Sequence, residues 1–103
     1  MGFQIRVVQG AGVKVGAQDL SIQADQIREV QTVQVEKPSF KEGNEVWLKR
    51  FIAETELGDF TWDVTFLIDL SGAELEGFVL VSAPKDAEIL SGPRFEKLEV
   101  EGD

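Results

Sequence analysis

The stretch DFTWDVTFLID, residues 59–69, alternates apolar and polar side chains almost without fault. Phe60, Trp62, Val64, Phe66 and Ile68 fall on one side; Thr61, Asp63, Thr65, Leu67 and Asp69 fall on the other. A period of two belongs to an extended strand, whose successive side chains point to opposite faces. Five apolar side chains on one face would make a large sticky patch if exposed. Trp62 is therefore expected in the core, with the polar face turned to solvent.

The same period recurs along the chain, cut at short intervals by turn signals. Breaks fall at Gly10-Ala11-Gly12, Gly16 to Asp19, Pro38-Ser39, Glu42-Gly43-Asn44, Leu57-Gly58-Asp59, Ser71-Gly72, Ala83 to Asp86 and Ser91-Gly92-Pro93. Strands are expected at 3–9, 13–15, 20–24, 28–36, 45–56, 59–69, 74–82, 87–90 and 94–100. Short alternating runs between frequent breaks predict an all-β fold: an antiparallel β-sandwich, immunoglobulin-like or jelly-roll-like, of about 7–9 short strands. A small β-barrel is the alternative.

The best-marked part is the meander of 45–56, 59–69 and 74–82. In the last run, Leu75, Gly77, Val79 and Val81 share one face and Phe78 and Leu80 the other, which reads as a strand covered on both sides. Run 94–100 mixes charges into both faces, as suits an edge. Residues 19–31 are the least regular. Leu20, Ala24 and Ile27 also fit a helical spacing that Asp19 could cap. Val30, Val33 and Val35 do not keep strict alternation, which calls for a bulge or a helix end. The reading there is strand, with room for one short helix.

At 103 residues the chain, 1–103, has the length of one domain. It contains no cysteine, which removes disulfides, thiolate metal sites and thiol nucleophiles. That favours a cytoplasmic home, with a secreted mature form as the alternative. Gly10–Val15 is too short and polar for the core of a signal peptide, and no run approaches the ~20 apolar residues of a helical membrane span. No membrane partner is expected.

The net charge is −9, and it is unevenly placed. Residues 1–35 hold Arg6, Lys14 and Arg28 against Asp19, Asp25 and Glu29, which cancel. The whole excess of carboxylate lies in residues 36–103, while all seven glutamines lie before residue 35. Such an excess serves solubility first. It repels phosphate backbones, so no nucleic-acid partner is expected.

Catalysis has few residues to work with. Histidine and tyrosine are absent along with cysteine, so the usual base near neutral pH is missing. A carboxylate pair is the remaining option, and Asp63 with Glu74 or Glu76 on the next strand is the candidate. So small a chain leaves little room for a cleft beside a core, and no enzyme is expected. Asp59, Asp63 and Asp69 are oxygen donors, but their spacing fits no calcium loop and reads as solvated turn carboxylates. Gly10 to Gly16 places its third glycine one residue too far for a dinucleotide fingerprint and reads as a glycine-rich hairpin turn. No cofactor and no metal are expected.

The segment Val46 to Ala53 is ambiguous. One face carries Val46, Leu48, Arg50 and Ile52; the other carries Trp47, Lys49, Phe51 and Ala53. If the aliphatic face is inward, Trp47, Lys49 and Phe51 form an exposed surface for a sugar ring or a protein partner. If the aromatic face is inward, Arg50 sits among aliphatics outside. Aromatics at alternate positions favour the second arrangement.

These features point to a non-catalytic interaction or structural module that binds a protein partner or self-associates. Its neutral, glutamine-rich first third lacks the charges that block strand addition. Two alternatives are an acidic inhibitor covering a basic site on an enzyme or nucleic-acid-binding protein, and a glycan-binding module using Trp47 and Phe51.

Overall fold

The computed structural model describes residues 2–35, 45–69 and 72–100. Nine strands and one 3₁₀ turn make up those residues: β1 Gly2–Gln9, β2 Ala11–Val15, β3 Gln18–Ile22, η1 Ala24–Gln26, β4 Ile27–Val35, β5 Glu45–Thr55, β6 Gly58–Asp69, β7 Gly72–Ser82, β8 Ala87–Ser91 and β9 Arg94–Val100. The fold is all-β and sandwich-like, and among the described residues no closed barrel is seen. Expected breaks at 38–39 and 42–44, and the terminal residues 101–103, lie outside the described residues. Among the described residues no helix is long and apolar enough to cross a membrane.

One layer is the four-stranded antiparallel meander β4-β5-β6-β7. Its register is fixed by a tight hairpin: Thr55 faces Gly58 across the two-residue loop Glu56-Leu57. Thr55 Oγ1 donates to the Gly58 carbonyl at 2.6 Å and accepts the Leu57 N–H at 3.1 Å. From that turn the pairing runs without a slip to Glu45 opposite Ile68. A hairpin loop of set length dictates every cross-strand pair beyond it.

The other layer comes from both ends of the chain. Strand β1 runs into β2 through Gly10, and β8 into β9 through Gly92-Pro93. Gln9 pairs with Arg94 and Gly12 with Ser91, so one antiparallel ribbon continues through a bend. Proline has no N–H to give a ladder, and the Gly12 N–H is met at the bend by Ser91 Oγ at 3.1 Å. A Cβ on Gly10 would overlap the carbonyl oxygen of Ile22, so only glycine allows β3 this close. The glycine-rich segment is therefore a bend at Gly10 followed by a strand. The hairpin turn itself sits at Gly16-Ala17, with Gly16 at φ +62°.

Residues 19–31 resolve as strand, 3₁₀ turn, strand. Gln23 and Gln26 cap the turn reciprocally, the Gln23 N–H donating to Gln26 Oε1 at 2.8 Å. The out-of-step valines mark a bulge in β4 at Val30, between Glu29 and Gln31.

The core lies between the layers. Phe51, Ala53, Phe60, Trp62, Val64 and Phe66 of the meander meet Ile5, Ala11, Val13 and Ile22 of the opposing ribbon and β3. Trp62 is 1% exposed and stacks near Phe60 with centroids 6.1 Å apart, as its alternation predicts. Strand β7 departs from the expectation that both its faces are covered. Bulges between Leu75 and Gly77 and between Leu80 and Ser82 change its phase. Leu75 joins Phe78 and Leu80 on the inner face, while Val79 and Val81 are exposed outside.

Candidate functional site

The three residues of the possible surface, Trp47, Lys49 and Phe51, all lie on the inner face of β5, the arrangement their alternation favours. Trp47 pairs with Phe66, Lys49 with Val64 and Phe51 with Trp62, each opposite a buried core residue. Phe51 is 2% exposed and its ring meets Phe95 of β9 at 5.0 Å. Trp47 is half-buried, and its indole N–H donates to Glu45 Oε1 at 2.9 Å. A ring in the core offers no stacking platform, so these side chains do not present a joint aromatic surface to a sugar.

Lys49 does something different. Its side chain is 12% exposed and reaches across to β4, where Nζ donates to Glu29 Oε2 at 2.9 Å and to Thr32 Oγ1 at 3.1 Å. Thr32 Oγ1 in turn donates to Glu29 Oε2 at 3.0 Å. Glu29 and Thr32 flank the Val30 bulge, so this triad ties the bulge down from the inner side. Among β4 side chains only Ile27 is buried.

The outer face of the meander carries Arg50 among aliphatics, the arrangement that follows from an inward aromatic face. Arg50 grips Asp63 of β6 with two bonds, Nε to Oδ1 at 2.8 Å and an Nη to Oδ2 at 2.9 Å. Asp63 is only 7% exposed although it faces outward. The hydrogen bonds first, and the carboxylate's charge second, hold the Arg50 guanidinium above its ordinary pKa, against a smaller desolvation effect. On the same face Leu48 and Ile52 flank Arg50 along β5, Gln31 lies opposite Arg50 on β4, and Val79 lies opposite Asp63 on β7.

The carboxylate shared by both candidate acid pairs is engaged: Asp63 is held by Arg50, Glu74 pairs with Leu67, four residues farther along β6, and Glu76 falls in the bulge between Leu75 and Gly77. Asp59, Asp63 and Asp69 are likewise strung along one strand. Among the described residues no three carboxylates gather into a metal-holding group.

What the meander does present is an edge. Among the described residues, strand β4 has β5 on one side and no strand on the other. From Arg28 through Gln34 every β4 residue is exposed. Beyond the bulge, Gln31-Thr32-Val33-Gln34-Val35 is regularly paired to β5 and carries no charge. Its free side offers unpaired backbone donors and acceptors, the template for another strand. The glutamine count and the neutral first third pointed to this part of the chain. The ion pair Arg50–Asp63 had a weaker signal, two lone charges whose facing depends on the exact turn. Comparison with protein-family models, curated proteins and solved structures finds no match.

Proposed function

We propose that this chain is a non-catalytic interaction module that engages a protein partner by strand addition at the free edge of β4. The observation that carries the reading is the uncharged and regular run Gln31–Val35, exposed from Gln31 through Gln34, at a sheet edge. Backbone pairing supplies affinity in this mode, and alternate side chains supply selectivity. Val33 and Val35 sit on the outer face beside Leu48 and Val46, so an added strand meets an apolar stripe there. On the inner face it meets Thr32 and Gln34, both able to bond across a strand pair.

The test is differential capture. Immobilised wild type, Val33→Lys and Val79→Lys are exposed to the same cell extract, with folding checked by near-ultraviolet dichroism. Partners, a further copy of the chain included, should be lost by Val33→Lys and kept by Val79→Lys. A Val33→Lys chain that retains every wild-type partner removes the β4 edge from the function.

A further inference from the structure

We infer that the occupant of the β4 edge is a second copy of this chain, its own Gln31–Val35 paired antiparallel across a two-fold axis through Val33. The inference rests on the strand-addition reading and adds the identity of the partner.

Past the Val30 bulge, Gln31 to Val35 pair regularly with β5, and Val33, opposite Leu48, is the exposed apolar side chain on the outer face there. Covering that side chain places the two-fold centre at Val33. A two-fold axis normal to the sheet then places Val33 against the partner's Val33, Thr32 against the partner's Gln34, and Gln31 against the partner's Val35. Each pair keeps its face: Gln31, Val33 and Val35 are all outward, Thr32 and Gln34 both inward, as their β5 partners require. An isologous contact needs such self-complementarity. The inner pair is hydroxyl against amide, and the outer central pair is valine against valine.

Charge selects the occupant. Two copies of a chain with net charge −9 repel wherever their acidic parts meet. Every residue of β5, β6 and β7 belongs to the acidic portion 36–103, whereas β4 belongs to the neutral portion 1–35. The β4 edge is thus where the meander can meet its own copy with no charge opposing a charge. A basic partner would instead be drawn to the carboxylates of the later strands. Access is open as well, since exposure of Thr32 and Gln34 on the inner side means the opposing layer does not overhang the edge.

The absence of cysteine makes the test clean. A single Val33→Cys chain has only its own mate to bond with, and opposed Cβ atoms in an antiparallel pair come within disulfide reach. Under mild oxidation Val33→Cys should form covalent dimer about tenfold faster or more than Val79→Cys, a more exposed cysteine on the opposite edge. A mixture of Gln31→Cys and Val35→Cys chains should cross-link to each other faster than either does alone. Sedimentation of the wild type from about 1 μM to about 1 mM should show monomer passing to dimer. Val33→Lys should weaken that dimer by at least about a hundredfold, because it sets like charges face to face. A wild type that stays monomeric throughout, with Val33→Cys no faster than Val79→Cys, overturns the inference. If edge-dependent capture of another protein survives that result, strand addition stands with a different partner. If it does not, both fall.

Discussion

The two edges of the meander are built from opposite materials. Edge β7 is the more apolar, with Phe78, Val79 and Val81 all exposed, yet it is broken twice by bulges and carries Glu74 and Glu76. Edge β4 is polar and neutral past Val30, with one bulge near its start and a regular run after it. A bulge twists an edge out of line, so β7 is blunted by backbone geometry and can tolerate greasy side chains. Strand β4 has neither geometry nor charge to blunt it between Gln31 and Val35. Apolar exposure and capacity for strand addition are therefore separate properties of this sheet, and the second does not follow the first.

If the difference between the edges is local, damage to the shared centre should affect them equally. Trp62 lies in the row Glu29, Phe51, Trp62, Leu80 that joins edge to edge. Trp62→Ala should cost about 3–5 kcal/mol, from lost transfer energy and the cavity left behind. Amide exchange should then quicken in β4 and β7 together. Quickening confined to one strand would show that the edges rest on separate supports, and a stable Trp62→Ala chain would remove Trp62 from the core.

Most of this arrangement was legible because period-two patterning is a local signal, and burial of one strand face enforces it. The nine strands, the burial of Trp62 and the irregularity at Val30 all follow from it. The site was less legible, because edges are a property of strand order and strand order is not local. Phase also fails silently at a bulge: β7 reads as two clean faces until Glu76 and Val81 are taken out of step, and then Leu75 changes side. Turn position has the same leverage. The sequence break at Leu57-Gly58-Asp59 sits one residue beyond the loop Glu56-Leu57, and a one-residue slip there would separate Arg50 from Asp63.

The next effect concerns how β4 is held. Lys49→Met removes the cation that bridges Glu29 and Thr32 across the bulge while keeping the buried stem. Glu29 is partly exposed and water can replace the lost bond, so the cost should be about 1 kcal/mol. A double-mutant cycle with Glu29→Gln isolates the pair. Exchange should rise in β4 and stay constant in β7. Equal changes in both strands would mean the triad supports the whole sheet and not one edge.

The smallest effect on stability is the sharpest check on the comparison. Val79 is 59% exposed on β7, and Val33 is exposed on β4. Lysine at either position has room to extend into solvent and should change stability by no more than about 0.5 kcal/mol. Thermal denaturation at low protein concentration measures this, where mass action from any association is negligible. The two variants should then be indistinguishable as isolated chains and differ only in association, with Val33→Lys losing it and Val79→Lys keeping it. Apolar exposure alone would predict the reverse, since Val79 offers more surface than Val33. Loss of association in Val79→Lys with retention in Val33→Lys would mean that hydrophobic contact at β7, and not backbone pairing at β4, is what this sheet uses to bind.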